Sequence, residues 1–172
     1  MNEVGNQPIN GLSVTKSGVT FNFTDTTGAD YDASGPGLMT FVQDPSIEGA
    51  TNGELVSISF SQAFTTVDFG MALSTESPVP SLATVDLYDQ GTLVLSTAFA
   101  STLTDPFAEG EFTYVGGPVD EITIAPDSSA ANAFVLDNLS VDTPEPPTFQ
   151  LLGSAILALA AGVLMRRKAS QS

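Results

Sequence analysis

The chain has 172 residues, 20 acidic against 4 basic side chains and a formal net charge of −16, with no cysteine and no histidine. A surface this acidic repels phosphates and anionic headgroups, which excludes nucleic acid and anionic lipid as ligands of the charged part. Without Cys or His there is no disulfide, thiolate nucleophile, zinc-thiolate centre or imidazole base, so only carboxylate chemistry is left.

Read in chain order, residues Met1 to Pro8 carry neither a basic start nor an apolar stretch, and an export leader is expected upstream of them. From Leu12 onwards apolar residues recur at every second position. Leu12/Val14 and Val19/Phe21/Phe23 flank Lys16-Ser17-Gly18, which predicts two half-buried strands joined by a turn. Asp25, Asp30 and Asp32 follow in a loop-like run, where hard oxygen ligands at short spacing suit Ca²⁺; ordinary turn capping is the other use of the same carboxylates.

Alternation returns in Val56/Ile58/Phe60, in Val67/Phe69/Met71/Leu73 and in Leu93/Leu95 leading to Phe99. Asp89-Gln90-Gly91 supplies a hairpin turn between the strands around Leu87 and Leu93. Phe112/Tyr114, Ile122/Ile124 and Phe134/Leu136 complete roughly ten short strands, punctuated by Gly35-Pro36-Gly37, Ser77-Pro78 and Gly116-Gly117-Pro118. Asp137 and Asn138 interrupt the last alternation, and a bulge there would aim the Asp137 carboxylate at a structural ion or at backbone donors. No helical stripe interrupts this series. The expected fold class is therefore all-β, an antiparallel two-sheet jelly-roll sandwich with an immunoglobulin-like sandwich as the alternative, followed by a single C-terminal transmembrane helix.

The segments around Gly18-Val19-Thr20-Phe21, Val85 to Gly91 and Phe134 to Val141 resemble bacterial galactose-binding-like and carbohydrate-binding jelly rolls. That resemblance implies a closing strand paired beside the first strand and a late-strand Asp at a calcium site, here Asp137. Carbohydrate binding would lack Trp as a stacking platform, leaving Tyr31, Tyr88 and Tyr114. Catalysis is not expected. A glycosidase pair needs two carboxyls about 5–5.5 Å or about 6.5–9.5 Å apart, and alternation places Glu109/Glu111 on one exposed face and Asp120/Glu121 on opposite faces.

The end of the chain has a different character. Pro144-Glu145-Pro146 precedes 17 residues, 149–165, that hold no charge, and Arg166-Arg167-Lys168 follow. As a helix this run would span roughly 25 Å, enough for a thin bilayer core, and the basic cluster would stay on the cytoplasmic side. Residues 1–143 carry 19 acidic side chains against Lys16, a charge of −18, whereas 144–172 carry +2. This order of elements resembles the PEP-CTERM sorting signal of Gram-negative bacteria, with Pro147-Thr148 departing mildly from the small polar pair usual there. The resemblance implies an exosortase, a membrane-embedded transpeptidase-like enzyme, as partner.

The division that follows is an acidic ectodomain over 1–142, a Pro-rich linker over 143–148, a transmembrane helix over 149–165 and a basic cytoplasmic tail over 166–172. The expected protein is exported, held in the inner membrane until processed, then displayed at the cell surface or in the extracellular matrix. Its ectodomain is expected to be a non-catalytic structural or interaction module. The alternative is a calcium-stabilised carbohydrate-binding module associated with extracellular polysaccharide.

Overall fold

A computed structural model describes residues 7–32, 37 and 39–142 of the chain. The sorting motif Pro144, Glu145 and Pro146, the apolar run 149–165 and the basic residues Arg166, Arg167 and Lys168 lie outside the described residues. Among those described there is no α-helix, and hence no helix long and apolar enough to cross a membrane.

The described residues form ten strands: β1 Gln7–Pro8, β2 Ser13–Lys16, β3 Val19–Thr24, β4 Asp30–Asp32, β5 Ser46–Ala50, β6 Val56–Leu73, β7 Ala83–Asp89, β8 Thr92–Phe99, β9 Ala108–Pro126 and β10 Ala133–Asp142. Every pairing is antiparallel. Hydrogen bonding runs in the order β1-β4-β5-β10-β6-β9-β7-β8, with β3 also on β6 and β2 on β3. The closing strand β10 therefore lies between β5 and β6, whereas β1 pairs with β4; the expected pairing of the last strand beside the first is not what forms.

Two of the expected turns behave as read. Ser17 and Gly18 have φ of 53° and 83°, and Gln90 and Gly91 have φ of 49° and 75°, the positive values that let a two-residue loop follow the right-handed twist of its strands. The Gly116-Gly117-Pro118 signal does something else. Phe112/Tyr114 and Ile122/Ile124 belong to one strand, β9, which passes through the glycines and bends there, with the Tyr114 hydroxyl donating to the Gly117 carbonyl at 2.9 Å. Val56/Ile58/Phe60 and Val67/Phe69/Met71/Leu73 likewise merge into β6, whose register with β9 shifts between Ser59 and Thr66. Bulges of this kind bend a strand and increase its twist without ending it.

The bend divides the array into two halves that share β6 and β9. Val56 to Ser59 of β6 pair with Glu121 to Ile124 of β9, beside β3 and β7. Thr66 to Leu73 pair with the other end of β9 and with β10. Phe99, on β8 of the first half, lies edge-on to Phe69 at 5.7 Å, and Phe69 stacks on Phe112 at 5.0 Å in the second half. The halves thus face each other across one apolar core that includes Val56, Ile58, Met71, Val85, Ile122, Phe134 and Leu136.

On the outer side of the second half the segment 39–44 crosses β10, β6 and β9 as a strap. Met39 and Val42 pack on Ala72, Val135 and Phe107. Glu109, only 1% exposed, accepts from the Phe41 amide at 2.8 Å and the Thr40 amide at 3.1 Å. Asp137 accepts from the Gln43 amide at 2.9 Å, and the Asn138 side-chain amide donates to the Phe41 carbonyl at 2.9 Å. Gly70 makes the crossing sterically feasible, because a Cβ there would stand 1.8 Å from the Phe41 carbonyl oxygen. Gly70→Ala should therefore lift the strap and destabilise the fold by about 1–3 kcal/mol, the usual cost of overpacking. Denaturant unfolding measures the loss, and faster hydrogen exchange at the Thr40 and Phe41 amides localises it to the strap.

Candidate functional site

Cross-strand register assembles the site. Asp30 on β4 stands opposite Glu48 on β5, Glu48 opposite Val135 on β10, Val135 opposite Ala72 on β6, and Ala72 opposite Glu109 on β9. Directly paired residues share a face of a sheet, so these five side chains form one row on the outer side. Asp32, two residues beyond Asp30, extends the same face. The strap covers the Glu109 end of the row. Beside it a groove of ≈ 340 Å³ is lined by Asp30, Asp32, Glu48, Ser74, Phe107 and Val135, together with Ala72, Gly49 and Ala133 among others.

The groove is acidic and crowded. Glu48 accepts from the Ser46 hydroxyl at 2.9 Å. Its carboxyl is held above the ordinary 4.5, first by burial, against which the Ser46 bond pulls, and then by the charges of Asp32 and Asp44. The floor differs: Val135, Ala72 and Phe107 give an apolar surface that includes an aromatic side chain. A rim of acceptors over an apolar floor suits a ligand that presents hydroxyl donors along its edge and C–H groups on its face.

The four expected calcium ligands have different surroundings. Asp25 accepts from the amides of Gly28 and, at 2.8 Å, Ala29, so it closes its own turn. The same turn is pinned to the buried Glu54 through Thr26 and Thr27. Asp30 and Asp32 reach the groove. Asp137 sits at the expected bulge, where the register shifts between Asp137 and Ser140 and Asn138 has φ of 55°, and its carboxylate meets the backbone donor of Gln43. Only Asp30 and Asp32 of the four come together, and among the described residues no group of three or more acidic side chains has the arrangement of a metal site.

Other expectations shift as well. Glu109 is not on an exposed face with Glu111, because the strap buries it. Asp120 accepts from the Gln90 amide at 3.1 Å and anchors the β7–β8 hairpin. Tyr31 packs on the core, Tyr114 is buried, and neither they nor Tyr88 line the groove. Phe107 does line it, preceded by Pro106 in a stretch with no alternation, and Glu48 stands in a strand of only five residues. Neither carries a periodic signal that would single it out.

No family model matches the chain, and no curated protein does either. Among solved structures it is similar to the N-terminal CBM22-1-CBM22-2 tandem domain of Xyn10C from Paenibacillus barcinonensis, at 16% identity and a TM-score of 0.40 over 84% of this chain. The match takes in 49% of that structure, so the chain spans about half its length. It is also similar to the CBM22-1 xylan-binding domain of the same protein, at 14% identity and a TM-score of 0.37, covering 81% of this chain and 97% of that one. Likeness of this size leaves ligand and fold family to be argued from the chain's own residues.

Two measurements test the site's electrostatics. Since Glu48 binds its proton more tightly folded than unfolded, its contribution to stability is full below about pH 4.5 and is lost as pH rises through the raised folded value. Glu48→Gln should thus gain stability relative to the parent chain as pH climbs above that point, with a flat difference below it. Asp127, held below its ordinary 3.8 by the Ser129 hydroxyl and amide, loses its contribution only as pH falls under that value, so the two windows do not overlap. Calcium is checked by thermal unfolding in millimolar Ca²⁺ against excess chelator. The dispersed carboxylates predict an unchanged midpoint; an ion at a hundredfold excess over its dissociation constant would add about 2.7 kcal/mol.

Proposed function

We propose that the chain is an exported, non-catalytic binding protein whose groove takes a neutral polysaccharide and whose tail delivers it to the cell surface or extracellular matrix. The observation that carries the ligand reading is the pairing of Asp30, Asp32 and Glu48 with the apolar floor of Phe107, Val135 and Ala72. Pyranose rings offer hydroxyl donors around an apolar face, so carboxylate acceptors beside an aromatic ring match both parts of their chemistry. The charge of −18 over 1–143 selects against uronate or sulfated chains and for neutral ones. Two antiparallel halves closed over one core fit a jelly-roll sandwich, in which such a groove lies across the strands. Titration of the protein with neutral glycan oligomers by calorimetry is the direct test. Phe107→Ala or Asp30→Asn should weaken binding about tenfold, equivalent to about 1.4 kcal/mol, and anionic glycans should bind less tightly than neutral ones. Equal affinity for both variants and the parent would remove the groove from the reading. Release of reducing sugar during titration would replace binding by hydrolysis.

The sorting half rests on the tail, where Pro144-Glu145-Pro146, the uncharged run 149–165 and Arg166-Arg167-Lys168 occur in the order that the PEP-CTERM resemblance requires. Proline fixes φ and disfavours helix in the residue before it, a preference that would suit capture of Glu145 by an exosortase. Changing Pro144-Glu145-Pro146 to three alanines leaves the apolar run and the basic end intact. In a host with the cognate enzyme the parent should lose its tail and the alanine variant retain it. Identical mature masses would reduce the tail to a plain anchor.

A further inference from the structure

The chain contains two Asn-Gly pairs, Asn10-Gly11 and Asn52-Gly53, and the fold treats them differently. A glycine after asparagine carries no side chain to shield its amide nitrogen, which can therefore reach the asparagine side-chain carbonyl carbon and close a ring. Ring closure needs a glycine N–H free to give up its proton and a peptide plane free to turn. A backbone hydrogen bond at that N–H withholds both until the structure opens locally.

Asn10-Gly11 is held in this way. The Gly11 amide donates to the Phe23 carbonyl at 3.0 Å, the Phe23 amide to the Leu12 carbonyl at 2.9 Å, and the Leu12 amide to the carbonyl of the buried Ile9 at 2.8 Å. Asn52-Gly53 forms the tip of the turn between β5 and β6, where the Glu54 amide donates to the Thr51 carbonyl at 3.3 Å and Gly53 has φ of 75°. Both residues are exposed, and among the described residues neither the Asn52 carbonyl nor the Gly53 amide takes part in a hydrogen bond. The next peptide unit, by contrast, is anchored. The Gly53 carbonyl accepts from the Thr26 hydroxyl at 2.8 Å, and Glu54, 4% exposed, accepts from the Thr26 amide at 3.1 Å and from the Thr27 hydroxyl. The Leu55 amide donates to the Thr26 hydroxyl at 2.8 Å.

We propose that Asn52 is a site of spontaneous covalent modification, and that its product loosens the anchor between Glu54 and the turn that follows β3. The Gly53 nitrogen gives its proton to hydroxide and attacks Cγ of Asn52. The new N–Cγ bond forms, the bond from Cγ to the side-chain amide nitrogen breaks, and ammonia leaves with a proton taken from water. Water then opens the cyclic imide at one of its two carbonyls. One opening leaves aspartate at position 52; the other routes the main chain through the side chain as isoaspartate and lengthens it by a methylene. Either product adds a negative charge next to Glu54, and the longer chain draws the Gly53 carbonyl away from the Thr26 hydroxyl. The effect reaches the groove, because the anchored turn continues into Gly28 and Asp30, which line it.

The test uses the full chain in detergent micelles, held at mildly alkaline pH either folded or in concentrated denaturant. Mass spectrometry of digested samples follows the amide-to-acid mass gain at each asparagine. In denaturant the two Asn-Gly pairs should react at similar rates, since neither keeps its hydrogen bonds. In the folded chain Asn52 should react at least about tenfold faster than Asn10, which must wait for the bond from Gly11 to Phe23 to open. Asn52→Gln lengthens the side chain and enlarges the ring, so the more acidic form resolved by ion exchange should no longer accumulate. Modified chain separated by that charge should exchange the Thr26 and Leu55 amide protons at least about tenfold faster than the parent. A smaller ratio between the two asparagines in the folded chain, or an acidic form that persists in Asn52→Gln, would overturn the site. Unchanged exchange at Thr26 and Leu55 would overturn the loosening of the anchor.

Discussion

Everything in the described fold hangs on the pairing of β6 with β9. These are the two longest strands, and each is a member of both halves: β3 and β10 attach to β6, and β7 attaches to β9. The spine must be continuous in hydrogen bonding yet bent in shape. It achieves both through register shifts between Ser59 and Thr66, opposite the stretch from Val115 to Val119. A straight pair of this length would leave its two ends too far apart for Phe99 to reach Phe69 and Phe112, and the single core would separate into two thin faces. The glycines at 116 and 117 are placed where the bend falls, and the Tyr114 hydroxyl fixes it.

The spine also decides where function can sit. The inner faces of both halves are committed to the core, so the groove lies on an outer face, which on the second half is partly roofed by the strap. Burying Glu109 beneath it is costly for a carboxylate unless donors are supplied. The Thr40 and Phe41 amides supply them, so the charge becomes a latch and a segment without strand structure gains a fixed position. The latch sets one wall of the groove, since Met39 and Val42 hold Phe107 and Val135 in one small cluster.

Much of the strand content was legible because period-two alternation reports a half-buried strand wherever the chain lies. Val19 to Phe23, the β7–β8 hairpin and the interruption at Asp137 read directly. What alternation cannot report is whether a Gly-Gly-Pro stretch ends a strand or bends it, because both demand the same residues; that outcome depends on the partner strand, which here carries its own irregularity between Ser59 and Thr66. The same blindness hid the site. Asp30 and Asp32 were visible as an acidic run, but Glu48 and Phe107 join them only through strand order and the course of the strap, neither of which is local in sequence. Glu109 looked like a surface residue for the same reason.

The acidic side chains of the domain then divide by what answers their charge. Glu54 and Glu109 are buried and satisfied by amides and hydroxyls; Asp25 and Asp127 close turns; Asp120 and Asp137 tie distant segments together. The groove set is different in kind. Glu48 faces the like charges of Asp32 and Asp44, and the one basic residue among those described, Lys16, lies on β2 at the far edge of the other half. The carboxyl of Glu48 is thus crowded by like charge, and donors brought by a ligand would relieve that interaction as well as form new bonds. That makes hydroxyl-rich neutral chains better suited to it than ligands that add charge of the same sign.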